Sequence, residues 1–263
     1  MQYPTKLSCI LLALLMCAAC ESRPAQSVQQ ADTPAPSPAS SPAQQAEADP
    51  TPDVQPPVAP VVLLPDGESP DGGWPTLVML HGYRSSQRDF VPVGRLAAAE
   101  GIAAISLPAP FERGEGHYHW KQGEPEHTHA YLQGVVGKLA EAKDGKLDTG
   151  RLWLAGFSQG AMHSVHLAAK YPDAYRGVLA ISPAGWTPAP DAVVEPEVRR
   201  DFVVIGGRAE KARYRDSFFA TRDLLTKSQL PVEIIEHDGG HRFPPNWRAQ
   251  FARIFAAWAD ETR

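Results

Sequence analysis

Cysteine is nearly absent: there are three, Cys9, Cys17 and Cys20, and none after residue 20. A disulfide framework is therefore excluded from the remainder. Glycine and tryptophan are missing from residues 1–60, and all 21 glycines and 6 tryptophans lie beyond. Positive charge is not in excess, since 25 Lys and Arg stand against 30 Asp and Glu, net −5. No basic field awaits a nucleic acid, and none is expected as a partner. No apolar run reaches the ~20 residues that a bilayer-crossing helix needs. The remaining composition, 43% hydrophobic and 21% charged residues, excludes a collagen-like, wholly disordered or multi-spanning protein. The uneven distribution implies one globular body behind a leader and a tether.

Residues 1–20 read as the leader. Lys6 precedes an apolar run from Leu7 to Cys20, broken only by Ser8. A positive start, a short apolar stretch and small residues before a cut site make a secretory signal peptide. The ending Cys17-Ala18-Ala19-Cys20 resembles a bacterial lipobox, whose last Cys is lipidated and becomes the new N-terminus; Cys17 stands where lipoboxes usually carry Leu. The resemblance implies an exported, cell-envelope lipoprotein anchored through Cys20. Ordinary cleavage to a soluble periplasmic protein and an uncleaved anchor are the alternatives. Residues 21–60 hold ten of the 26 prolines, with Ala, Ser, Gln, Thr and acids, and no aromatic residue. Such a segment cannot bury enough apolar surface to offset its ordering entropy, so it reads as a disordered, semi-stiff linker. It carries net −4 and the leader +1, which leaves −2 for residues 61–263, the expected catalytic domain.

Beyond residue 60, short apolar runs alternate with amphipathic stretches. The pattern predicts strands over 76–81, 102–107, 151–157, 176–182, 201–206 and 231–236, mostly continuous in hydrophobicity, as in strands covered on both faces. It predicts helices near 88–100, 126–144, 159–171, 212–228 and 245–260. Pro92 fits the first only if that helix begins within a residue or two of it, and Pro172 stops the third. The fold class expected is α/β, a mostly parallel central sheet with helices on both faces. In that architecture reactive groups collect at the carboxyl ends of the strands.

Gly156-Phe157-Ser158-Gln159-Gly160 is a G-x-S-x-G between a predicted strand and a predicted helix, the context of a nucleophile elbow. A plain βα turn is the bland alternative. A phosphate cradle would want a Gly-Lys-Ser/Thr tail, whereas Ala161-Met162-His163 comes next. A serine hydroxyl needs a base to take its proton. Of nine histidines, His241 lies in the loop Asp238-Gly239-Gly240-His241 after the last strand, where two glycines free the backbone to position the ring. His163 and His166 fall on the helix after Ser158, and His237 at a strand end. The chain order Ser, acid, His calls for a carboxylate after strand 201–206. Glu210 is the first one reachable, with Asp216 and Asp238 as alternatives; its bland reading is a solvated charge beside Arg208 and Lys211.

Leu80-His81-Gly82-Tyr83 follows the first strand, and its glycine lets backbone N–H groups face the space above the elbow. With LHGY, GFSQGA, the GGRAE turn and GGHRFPP in that order, residues 74 to 260 resemble an α/β-hydrolase. More narrowly, they resemble the phospholipase/carboxylesterase family with its dienelactone-hydrolase-like members. The resemblance implies Ser158 as nucleophile, His241 as base, and an oxyanion hole from the backbone N–H groups of Gln159 and Tyr83. It implies no cofactor. The family usually has Asp after a His-Gly turn at the acid position, where this sequence carries Gly206-Gly207 and Glu210. The branch with a cysteine nucleophile is excluded, because the domain has no cysteine.

Residues 111–132 carry His117, His119, His127 and His129 as two H-x-H pairs. In an extended segment such a pair puts both rings on one face, so a zinc site is one reading. The preferred reading has no metal and a loop over the active-site mouth, with Tyr118 and Trp120 in an apolar wall and Trp186 opposite. Alternatively these aromatics only pin long loops to the body. The expected function is hydrolysis of carboxylic esters, small-molecule or polymer-borne, through an acyl-enzyme. The rivals are an inactive hydrolase-fold binding module at the envelope, or a thioesterase, peptidase or polysaccharide esterase. Oligomeric state is left open.

Overall fold

Side chains on a strand point alternately to its two faces, and here both faces are apolar. In the computed structural model Leu77 and Met79 join one hydrophobic cluster while Val78 and Leu80 join the other. The pattern repeats in Trp153 and Ala155 against Leu152 and Leu154. Double burial is why these strands read as unbroken apolar runs. The described residues are 55–185, 201–228 and 230–260, the Arg151 side chain excepted. The leader with Cys20, the linker up to residue 54, and Trp186 lie outside them.

The strands in chain order are β1 (Val61–Leu63), β2 (Trp74–Leu80), β3 (Ala103–Leu107), β4 (Phe111–Glu112), β5 (Tyr118–His119), β6 (Leu147–Phe157), β7 (Gly177–Ile181), β8 (Asp201–Gly207) and β9 (Val232–His237). The helices are α1 (Val91–Ala99), α2 (Pro125–Ala142), α3 (Gln159–Lys170), α4 (Ala212–Lys227) and α5 (Trp247–Asp260). Pro92 falls in the first turn of α1, where a missing N–H costs nothing. Seven strands form one sheet in the order β1-β3-β2-β6-β7-β8-β9, all parallel except β1. Helices α1 and α5 cover one face, with Trp153 stacked on Trp258 at 4.3 Å. Helices α2, α3 and α4 cover the other. Among the described residues no helix is long and apolar enough to cross a membrane.

All six predicted strands and five predicted helices are present, within a few residues at their ends. Three short strands were not expected. β1 is an antiparallel edge of three residues, and β4 and β5 form a two-residue hairpin inside the 111–132 segment. Parallel connections leave the ends of β2, β6, β8 and β9 on one edge, which carries the site.

Candidate active site

Ser158 sits between β6 and α3 with φ 54° and ψ −115°, a conformation an L-residue adopts only under constraint. The constraint is visible. The Ser158 N–H donates to Ile181 O (2.9 Å), and its carbonyl accepts from the Met162 and Ala184 amides, both at 3.1 Å. The flanking glycines are required by close approach. A Cβ at Gly160 would fall on the Leu80 carbonyl, and one at Gly156 on the backbone of Gly160 and Ala161. The turn therefore packs α3 tightly onto β2 and β6 and lifts the serine above the sheet edge.

The His241 ring stands next to it. Nε2 lies 2.9 Å from Ser158 Oγ, and Nδ1 lies 3.1 Å from Glu210 Oε2. Glu210 is buried, and its other oxygen accepts from Ser182 Oγ (2.6 Å) and the Gly207 N–H (3.2 Å). Burial by itself raises the carboxyl pKa, but the hydrogen bonds from His241, Ser182 and Gly207 outweigh it and hold the group below its usual range. The bland reading of Glu210 fails because Arg208 pairs with Glu236 (3.0 Å) and Asp238 (2.9 Å) instead. Asp238 is thereby turned to solvent, and Asp216 is exposed on α4. His237 closes β9, its Nδ1 accepting the Gly239 N–H at 3.0 Å. Of the two glycines expected to free the backbone that positions the ring, Gly239 is crowded, since a Cβ there would fall on the His237 ring and Arg242 Nε, whereas Gly240 has room for one. Gly207 packs against the Gly239 carbonyl where no Cβ would fit, and Ala209 N–H donates to Gly239 O (3.0 Å).

The His81-Gly82-Tyr83 turn faces the serine, since a Cβ on Gly82 would lie 3.4 Å from Ser158 Cβ. His81 is fully buried. The Ala109 N–H donates to Nε2 (3.0 Å), so Nδ1 carries the proton and donates to Gly82 O (2.8 Å). Burial pushes its pKa down to about 4, in keeping with a neutral ring that braces the turn. The Gln159 amide directly follows the serine and the Tyr83 amide belongs to the turn that faces it; neither donates to a protein acceptor among the described residues. The Gln159 side chain is occupied elsewhere: it accepts the Trp120 N–H (3.1 Å) and donates to Trp120 O (2.8 Å).

That pairing corrects the reading of Tyr118 and Trp120 as a substrate wall. Trp120 is completely buried, with Nε1 donating to His81 O at 2.8 Å, and Tyr118 is 5% exposed. Trp120 pins the β4–β5 segment to the elbow and to His81, and Tyr118 pairs with Ser85 in the turn after β2, both burying their apolar surface in the interior. Tyr83 is the exposed aromatic here, at 47%. The histidine pairs also part. His119 lies near Phe111 and Tyr83, His127 near Phe111, and His129 stacks on Tyr171 at 3.7 Å. Among the described residues no three His, Cys, Asp or Glu side chains converge on a common point. His163 is buried against Thr128 Oγ1 (3.0 Å). Two residues at the site escaped the sequence reading. Ser182, at φ 47°, binds the acid, and Tyr214 stacks on His241 at 4.2 Å. For Ser182 the sole signal was a small polar residue ending a strand; for Tyr214 there was none.

Sheet order, strained elbow and the Ser158–His241–Glu210 alignment define an α/β-hydrolase fold with Ser158 at the carboxyl edge of the sheet. Residues 55–258 match the family described as "Putative esterase", and the chain belongs to that family. A protein of Nocardia uniformis subsp. tsuyamanensis named "Putative esterase NocK" is 29% identical over 149 residues, 54% of this chain; the chain spans 41% of that relative's length. Among solved structures, esterase PE8 superposes with a TM-score of 0.61 at 18% identity, covering 75% of this chain and 97% of that one. The Bacillus cereus carboxylesterase gives 0.56 at 17%, covering 78% and 94%. At such identities the likeness is one of fold.

Proposed function

We propose that the chain is an exported serine hydrolase that cleaves carboxylic esters, small-molecule or polymer-borne. The observation that carries this reading is the pair of hydrogen-bond distances joining Ser158 Oγ to His241 Nε2 (2.9 Å) and His241 Nδ1 to Glu210 (3.1 Å). With Nδ1–H directed at the buried carboxylate, Nε2 is left as the acceptor that takes the serine proton. Ser158 Oγ attacks the acyl carbon, and the N–H groups of Tyr83 and Gln159 receive the oxyanion. His241 returns its proton to the departing alcohol, leaving an acyl-serine. Water then gives a proton to His241 and its hydroxide to the acyl carbon, and as the acid leaves, His241 returns that proton to Ser158 Oγ, restoring both groups. Family membership and the esterase neighbours support the ester as the bond broken.

The test is Ser158→Ala in the full chain, assayed on a short-chain aryl ester. Turnover falls on the order of 10⁶-fold, with melting temperature maintained and fluorophosphonate labelling lost. Undiminished turnover by the folded variant refutes the mechanism. Absence of labelling in the unsubstituted protein points instead to a binding module.

The Lys6 start, the apolar run and the Cys17–Cys20 ending support export and lipid attachment at Cys20, with residues 21–60 spacing the domain from a membrane. In a bacterial host, metabolic labelling with a fatty acid marks the protein, and Cys20→Ala abolishes the label and shifts activity to the soluble fraction. Equal labelling of parent and variant defeats the anchor.

A further inference from the structure

The imidazole of His241 is held by more than its two hydrogen bonds. Phe157 leans on the ring with centroids 4.9 Å apart and planes at 45°. Tyr214 lies over its face, with centroids at 4.2 Å and planes 21° apart. Tyr214 is itself fixed. The Arg213 guanidinium lies 4.5 Å over the Tyr214 ring and donates to its hydroxyl at 2.6 Å. The Tyr214 N–H donates to Lys211 O at 2.9 Å, inside the first turn of α4. Arg213 and the His241 ring thus both lie against the Tyr214 ring.

Resting on the reading that His241 is the base, we infer that Tyr214 is a positioning residue that holds the imidazole plane through both proton transfers. The two hydrogen bonds of His241 lie in the plane of its ring. Rotation about χ2 breaks both together, and neither bond resists the start of that rotation strongly, because hydrogen-bond energy falls slowly at small misalignment. A ring stacked face to face resists it directly, since turning the imidazole drives its edge into the neighbour. The need is greatest here because His241 is partly exposed, in a short loop without regular secondary structure. The stack also suits the reaction electrostatically, as the Tyr214 π face attracts the imidazolium that forms when Ser158 loses its proton. Glu210 lies in the turn just before α4 and Tyr214 four residues on in its first turn, so one short stretch brings the carboxylate to an edge of the ring and the clamp to its face.

The test compares Tyr214→Leu, Tyr214→Gln and Tyr214→Phe in the full chain on a short-chain aryl ester. Both ring-removing variants lower kcat about 30-fold. Their KM stays within about twofold, and fluorophosphonate labelling of Ser158 slows in proportion to kcat. Tyr214→Phe, which keeps the ring, stays within about threefold of the parent in kcat, since stacking and not the hydroxyl does the holding. One variant is apolar and one polar, so a failure of either to fold leaves the other to decide, and melting temperatures identify it. The inference is overturned if kcat is unchanged without the ring. It is overturned as well if the loss lies wholly in KM, which marks a substrate contact, or if Tyr214→Phe falls as far as Tyr214→Leu. Failure of the underlying reading has a different signature, full turnover in Ser158→Ala.

Discussion

A glutamate at the proposed acid position carries one methylene more than an aspartate, and the residues around Glu210 show how the extra length is managed. The carboxylate is drawn into the interior, where Ser182 and the Gly207 amide take one oxygen and leave the other for His241. Charge-assisted bonds of this kind are the strong ones, and they keep the group ionised despite its burial. Glu210→Gln removes the charge and offers an N–H to His241 Nδ1, which moves the ring proton to Nε2 and blocks acceptance from Ser158. The expected loss in kcat is about 10⁴-fold, measured on the aryl ester. Asp216→Asn on the exposed face of α4 leaves kcat within about twofold, as is usual for a surface charge. The opposite ranking reassigns the acid. The approach of Glu210 to His241 was legible because the order Ser, acid, His points to carboxylates beyond the strand 201–206. Ser182 was not, because its role depends on a positive φ at the end of β7 and on a partner 28 residues away.

Elements long enough to show a period were readable, and those too short for one were not. β6 and α3 announce themselves by an apolar run, a glycine-flanked serine and a helical stretch ended by Pro172. β1, β4 and β5 have two or three residues each, fewer than one full alternation needs. Their brevity matters at the site. Seen as loop, the 111–132 segment offered Tyr118 and Trp120 to the substrate. The hairpin instead brings Tyr118 N–H to Ser85 O and Arg84 N–H to Tyr118 O, at 2.9 and 3.0 Å. Trp120 then falls beneath the Gln159 side chain, and the segment becomes a brace shared by the two turns that flank Ser158. α4 behaves similarly. Its helical period was plain, but which residue of its first turn meets the His241 ring depends on how the helix rolls against β8 and β9.

For the molecule as a whole, buried histidines set a pH limit. Burial holds His81 at about 4 and His166 at about 4, and burial with the nearby His166 and His127 holds His163 at about 3. In an unfolded chain each takes its ordinary value of about 6.5. Between these limits the unfolded state binds protons that the folded one refuses. The stability is therefore intact above pH 6.5 and is lost as pH falls toward 4. For His81 alone the loss is about 3 kcal/mol, equivalent to about 10 °C of melting temperature in a domain of this size. Thermal melts level between pH 7 and 8 and descending by that much or more from pH 6.5 to 4 are expected; a level curve down to pH 4 contradicts the assignment. The order of strands and helices, the glycine-flanked Ser158 and the place of His241 after the last strand were readable from the amino acids alone. Those depend on periodicity, on helix and strand breakers and on a parallel topology with few solutions. The partners of Glu210, the burial of Trp120 and the ring that lies on His241 came from packing. Such contacts join residues far apart along the sequence, and they arise from how helices seat on a twisted sheet, which no local pattern records.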